Sequence, residues 1–302
     1  DRGPVSIIYT NNDGSFVPLT SSTDQLPKIW FGEARWADLN NDGHLDIVFN
    51  GADYAGIYRG DGHGNFSREL DFPFSASWAN VDIGDFDNDA DLDIVFSGYT
   101  GNAFIDVFRN DSDWKFVNIP GNFADRFGGN VSWSDMDNDG DLDLVVSGMQ
   151  RNENGNTAPS ITIYQNLAGS FVAINNTEFI YQGDEEGTTV TADYDNDGIS
   201  DVLATTSGGS SFSPEMNIFK NMGTGELISS RIPLPKLALR SVSWIDIDKD
   251  HDLDIFANSR LLINNVQRSN TLPTAPAQIL IDSIYNNSVF FHWPEGQDEE
   301  TT

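Results

Sequence analysis

An all-β architecture built from repeated four-stranded antiparallel units is what this sequence predicts, and three observations carry the prediction. An acidic nine-residue pattern recurs five times, its starts separated by 47, 50, 58 and 53 residues. A short, β-branched apolar run follows each copy, and an aromatic hairpin signature lies further along each interval. A period of about 40–50 residues is the length of one four-stranded blade, so the units are expected to stack radially as a β-propeller.

The repeated loop reads D-x-[DN]-x-D-x-x-x-D. Its copies are Asp38, Asn40, Asp42, Asp46; Asp85, Asp87, Asp89, Asp93; Asp135, Asp137, Asp139, Asp143; Asp193, Asp195, Asp197, Asp201; and Asp246, Asp248, Asp250, Asp254. Side chains at alternate positions of a tight loop converge on one point, and Ca²⁺ takes roughly six to eight oxygens at about 2.3–2.6 Å. Positions one, three, five and nine are expected to supply side-chain oxygens. Position seven, at His44, Asp91, Asp141, Ile199 and Asp252, is expected to supply a backbone carbonyl. Without a cation, two carboxylates about 4 Å apart repel by roughly 4 kcal/mol at an effective dielectric near 20. A solvated turn would explain one such loop but not five in register, so about five Ca²⁺ ions are expected. Mg²⁺ suits the site less well, because it keeps several waters and demands regular geometry.

Position six needs positive φ, which Gly43, Gly140 and Gly198 supply; Ala90 and His251 occupy it in the second and fifth loops. Those two loops therefore either bend differently or carry strain, and weaker sites are expected there. An EF-hand is excluded, since it requires a Glu at position twelve and flanking helices.

The runs after the loops, such as Leu45-Asp46-Ile47-Val48-Phe49 and Leu142-Asp143-Leu144-Val145-Val146, read as strands buried on both faces. Before each loop, residues alternate around Trp36, Ile83, Trp133, Thr191 and Trp244, which gives another strand whose repeated position is expected to pack between sheets. The pairs Tyr9 and Phe16, Tyr58 and Phe66, Phe108 and Phe116, Tyr164 and Phe171, and Phe219 and Leu227 flank Asn-, Asp- and Gly-rich turns and mark strands three and four. Residue 1 is then expected to fall at strand three of a blade; either one or two upstream blades lie outside this sequence or the ring closes with fewer blades by pairing its two ends.

Composition bounds the function. There are 47 acidic and 16 basic residues, a formal net charge of −31 that repels phosphate backbones and anionic membranes, so nucleic acid is not an expected partner. Twenty Phe, eight Tyr and seven Trp are too many for a disordered chain. There is no cysteine and hence no disulfide framework, and no stretch of 18 apolar residues, so direct membrane insertion is not expected. The chain opens at Asp1 without Met, which suggests a piece of something longer.

These motifs, Asp135-Met136-Asp137-Asn138-Asp139-Gly140-Asp141-Leu142-Asp143-Leu144 above all, resemble the FG-GAP/VCBS repeats over roughly residues 1–268. Such repeats build seven-bladed propellers like the integrin α head, and about five to six blades are represented here. The resemblance implies structural calcium and an extracellular or cell-surface setting. Residues 1–270 are expected to form the propeller and 271–276 a linker, with 277–302 similar to the start of a fibronectin type III domain. The combination resembles surface or secreted proteins of Bacteroidota.

In such a meander the one-two and three-four turns share one face, so variable connectors and any protein or glycan ligand are expected on the opposite face. Trp30, Trp78, Phe123, Phe127 and Phe212 are the contact candidates there, and Trp114 is an exposed aromatic on the loop face. The leading expectation is a calcium-binding adhesion or binding module, or a subunit of a cell-surface assembly. The alternatives are a lectin-like propeller and a part of a polysaccharide-degrading enzyme. Catalysis is not expected. His44 and His251 lie in metal loops, His63 in a hairpin turn and His292 in the C-terminal segment, and no phosphate loop, nucleophile elbow or zinc spacing is present.

Overall fold

A computed structural model describes residues 4–19, 25–124, 126–127, 129–151, 157–174, 187–206, 214–237, 241–265, 280–285 and 288–292. Among them every regular element is a strand. The first hairpin pairs β1 (Tyr9–Asn12) with β2 (Ser15–Pro18). Blade one is the meander β3 (Glu33–Ala37), β4 (Asp46–Asn50), β5 (Ala55–Gly60), β6 (Phe66–Asp71). Blade two is β7 (Ser77–Gly84), β8 (Asp93–Tyr99), β9 (Ala103–Asn110), β10 (Phe116–Ile119). In blade three, β11 (Arg126–Phe127) and β12 (Val131–Ser134) both pair with β13 (Asp143–Arg151), followed by β14 (Thr157–Leu167) and β15 (Ser170–Ile174). Blade four is β16 (Thr189–Ala192), β17 (Asp201–Thr205), β18 (Met216–Asn221), β19 (Leu227–Ser229). Blade five comprises β20 (Val242–Ile245), β21 (Asp254–Ala257) and β22 (Arg260–Leu262); β23 (Leu280–Tyr285) and β24 (Ser288–His292) form a separate hairpin. Five blades of antiparallel meanders thus make the propeller, four of them with the full four strands.

The core lies between the blades, and strand two shows why its sequence is apolar at consecutive positions. Side chains alternate across a strand, so a strand between two neighbours must be apolar on both faces. Val48 faces blade two, while Ile47 and Phe49 face the N-terminal hairpin side. Ile94 and Phe96 face blade one and Val95 faces blade three. Leu144 and Val146 look back to blade two and Val145 forward to blade four; Val202 and Ala204 look back and Leu203 forward to blade five. In blade five Ile255 and Ala257 look back, and Phe256, with no further blade beside it among the described residues, stands half exposed.

Position two of the first four acidic loops plugs the next interface, whereas Ile247 in the fifth loop is exposed. Leu39, Phe86, Met136 and Tyr194 are buried against the following blade, and Trp133 and Trp244 stack on Phe86 and Tyr194 with ring centroids 5.5 and 6.3 Å apart. The expectation that the tryptophans ahead of the loops are core therefore holds for Trp133, which is 8% exposed, but not for Trp36, which is 49% exposed. Trp36 occupies the same register, but no earlier loop lies among the described residues to stack on it, and it meets only the edge of Phe66. Trp114 is corrected in the other direction, being half-buried against the core shared by blades one and two.

Candidate metal centres

Each acidic loop joins strands one and two of its blade, as the strand bounds require. The local fold follows from the first Asp of the pattern. In loop one the Asp38 carboxylate accepts the backbone N–H groups of Asp42 and Gly43 at 3.1 and 2.8 Å. Asp85, Asp135 and Asp193 accept the same pair in the next three loops. An aspartate holding two later amides is an Asx-turn device, and it curls the chain so that alternate side chains face inward. Position six is left-handed at every copy, with φ 84°, 72°, 92°, 85° and 75° at Gly43, Ala90, Gly140, Gly198 and His251. Loop two therefore keeps the same bend, and Ala90 bears the conformational cost that glycine avoids. Loop five departs: Asp246 accepts the amide of Lys249 at 2.7 Å.

The turns gather acceptor oxygens. Asp85, Asp87 and Asp93, then Asp135, Asp137 and Asp143, then Asp193, Asp195 and Asp197, and Asp246, Asp248 and Asp250 each bring carboxylate oxygens within 4.8 Å of one another. Loop one, with Asn40 at position three, forms no such carboxylate trio; there the Asn40 amide donates to Asp42 at 2.9 Å. Asp87 Oδ1, Asp137 Oδ1, Asp195 Oδ1 and Asp252 Oδ1 are buried without a hydrogen-bond partner. Buried acceptors left unsatisfied are costly, and an all-oxygen donor set is the chemistry of a hard divalent cation. The residues present thus fit calcium.

Position nine has a further task. Asp46, Asp93, Asp143, Asp201 and Asp254 are fully buried. One oxygen of each accepts the amide of the loop's second residue, at 2.9–3.3 Å, from Leu39, Phe86, Met136, Tyr194 and Ile247. The other accepts an amide at the end of strand three, from Gly60, Asn110, Asn166, Asn221 and Asn264. The carboxylate therefore ties loop to blade, whether or not it also faces a metal. Burial pushes the Asp93 and Asp201 carboxyls up to about 7 and Asp143 up to about 6, against the opposing pull of these amides. Burial followed by neighbouring carboxylates raises Asp87 and Asp137 as well. Ionised carboxylates at these places need a counter-charge.

Sequence reading missed the asparagine that ends strand three. Asn110, Asn166, Asn221 and Asn264 each donate backward to a carbonyl in the preceding blade's loop, those of Leu39, Phe86, Met136 and Tyr194, at 2.6–2.9 Å. The signal was present as Phe108-Arg109-Asn110, Tyr164-Gln165-Asn166 and Phe219-Lys220-Asn221, an aromatic-x-Asn register inside the hairpin signature. Adjacent loops are also joined directly: the Asn41 amide reaches Asp91 at 2.8 Å, Asn88 reaches Asp141 at 2.6 Å, and Asn196 reaches the His251 carbonyl at 3.2 Å.

Of the contact candidates on the opposite face, Trp30 and Trp78 are exposed and pair with Phe31 and Tyr99 at ring-centroid distances of 6.4 and 5.8 Å. The Ala79 amide donates to the Phe31 carbonyl at 3.0 Å, so the two pairs are neighbours. Phe123 instead packs in part against Tyr164 and Phe171. Phe127 lies in β11, and Phe212 lies outside the described residues.

No curated protein matches the chain. Solved structures similar to it include an Agrocybe aegerita lectin described for specific recognition of non-reducing terminal N-acetylglucosamine, at 16% identity, 85% coverage of each chain and a TM-score of 0.40. Another is the Tc holotoxin pore of Photorhabdus luminescens, at 18% identity, covering 84% of this chain and 12% of that one with a TM-score of 0.37. The FG-GAP-like repeat matches residues 38–96, 135–204 and 193–257, more than half of the sequence and all five acidic loops, each with the strand that follows it. The chain belongs to the FG-GAP-like repeat family.

Proposed function

We propose that this propeller is an extracellular binding or adhesion module whose acidic loops hold about five structural calcium ions. The observation that carries the reading is the set of buried, unpartnered oxygens on Asp87, Asp137, Asp195 and Asp252, within loops whose carboxylates converge. Positions one, three, five and nine would hold each ion, with position nine also fixing the loop through the amides it accepts. The ions would screen buried carboxylates and pin strand one to strand two; they are assigned no catalytic step. The chain's own residues supply the rest, since the strand-three asparagines carry each loop's geometry into its neighbour. A fibronectin-like segment after the propeller and a place in a larger cell-surface assembly belong to the same reading.

The test is thermal melting of calcium-loaded protein against the same protein in excess EGTA, with bound calcium counted by elemental analysis. Ligand binding to the native state stabilises it by about 4 kcal/mol per site at 1,000 times Kd, so a large fall in Tm is expected. An unchanged melt, starting from protein verified to be loaded, would refute the reading.

A second reading, a lectin-like use of the opposite face, is favoured by one observation: Trp30, Phe31, Trp78 and Tyr99 present neighbouring aromatic rings to solvent. Such faces stack on sugars and on protein partners alike. A glycan array with wild type and Trp78→Ala separates the two, because loss of a glycan signal in the variant supports the lectin and no signal in either favours a protein ligand.

A further inference from the structure

The residue just before the strand-three end, ahead of Gly60, Asn110, Asn166, Asn221 or Asn264, differs in charge from blade to blade, and in the first four blades its side chain reaches toward the acidic loop of its own blade. In blade one Arg59 donates to Asp42 Oδ2 at 2.9 Å. In blade two Arg109 lies 3.9 Å from Asp87 and is held more closely by Asp111 at 2.7 Å. In blade three the neutral Gln165 donates to Asp137 Oδ2. In blade four the Lys220 ammonium bonds both Asp195 Oδ2 and, at 2.6 Å, Asp197 Oδ2. Blade five has Ile263 at this position, which offers no donor. Among the described residues Lys220 is the only cation that bridges two carboxylates of one loop, and its side chain is largely buried at 29% exposure.

Resting on the calcium reading of these loops, we propose that this strand-three residue sets how strongly each loop demands a metal ion, and that Lys220 is the resident cation of loop four. The ammonium takes up part of the charge that Asp195 and Asp197 would otherwise present to calcium. It holds positions three and five together when no metal is bound, and it opposes a dication by like-charge repulsion when one arrives. Loop four keeps its shape without calcium, whereas loop three, with a neutral Gln165, and loop five, with Ile263, depend on it. Calcium dependence is then graded around the propeller, steepest at blade five.

A plain surface ion pair would stabilise the protein equally with and without calcium, whereas a resident cation matters mainly without it. Two reciprocal variants of the full chain separate these: Lys220→Gln, which copies blade three, and Gln165→Lys, which copies blade four. Melting is followed in EGTA and in saturating calcium, and calcium affinities are taken from titration against a competing chelator. Lys220→Gln is expected to lower Tm in EGTA, to match wild type in saturating calcium, and to tighten one site about tenfold through removal of one like charge. Gln165→Lys is expected to weaken one site by a similar factor and to raise Tm in EGTA. Equal loss of Tm under both conditions, or affinities unmoved in both variants, overturns the proposal while leaving calcium binding intact. A wild type that neither binds calcium nor changes its melt overturns the calcium reading and this proposal together.

Discussion

Asn221 offers the sharpest measure of what joins one blade to the next. Its side-chain amide donates to the Met136 carbonyl at 2.6 Å and the Ser200 carbonyl at 3.0 Å, and its oxygen accepts the Gly223 amide at 3.1 Å. The residue is fully buried, and Met136 is too. Asn221→Ala leaves the backbone bond to Asp201 in place but strips both carbonyls of a donor. Each buried group left unsatisfied costs about 1–3 kcal/mol, so a loss of about 3 kcal/mol is expected, the larger share from the Met136 carbonyl. For a domain of this size that is roughly 6–12 °C in Tm. The assay is denaturant unfolding in saturating calcium, with Asn265→Ala as control. The Asn265 amide makes only an exposed contact to the Ile263 carbonyl at 3.4 Å, and its loss should stay within about 0.5 kcal/mol. Should Asn221→Ala also fall within about 0.5 kcal/mol of wild type, the inter-blade asparagine is not the joint described here.

Three further expectations follow from the loops. In calcium-free protein, Asp93, Asp143 and Asp201 have folded-state values of about 7, 6 and 7, raised by burial above the unfolded carboxylate value near 4. Their contribution to stability is therefore fully present below about pH 4 and is lost as pH rises through about 6–7, so Tm in EGTA should climb on acidification from pH 8 to 5. Saturating calcium should flatten that climb; an EGTA series in which Tm falls over the same range contradicts the assignment. His251→Gly should raise stability by about 1 kcal/mol, because glycine adopts the left-handed region without penalty, and Gly140→Ala should lower it by about 1–2 kcal/mol at φ 92°. Both are read by chemical denaturation, and equal effects of opposite sign to these would show that the sixth position is not strained. Asp143→Asn keeps an acceptor toward Met136 or Asn166 but not both, since its amide nitrogen faces an N–H, so a loss of about 2–3 kcal/mol is expected even without metal.

The sequence by itself determined what is local and periodic. The spacing of Asp135, Asp137 and Asp139 curls a loop through hydrogen bonds that span only four or five residues, and the apolar run Leu144-Val145-Val146 pairs as a strand wherever it is placed. Both follow from backbone geometry and side-chain alternation, which repeat with the chain and are visible in it. Only the tertiary structure decided what depends on which blade stands beside which. Trp36 and Trp133 hold the same register, yet one is half exposed and the other buried, because burial requires a neighbouring loop. The aspartates at position nine look like ligands alone in the pattern, but the fold also delivers amides to both of their oxygens, while Asp93 and Asp143 still converge with their loops' other carboxylates. Asn221 and Met136 meet across 85 positions, and Lys220 reaches Asp195 across 25, distances at which no local propensity acts. Radial stacking brings such residues together, and it is a property of the assembled sheets, not of any one segment.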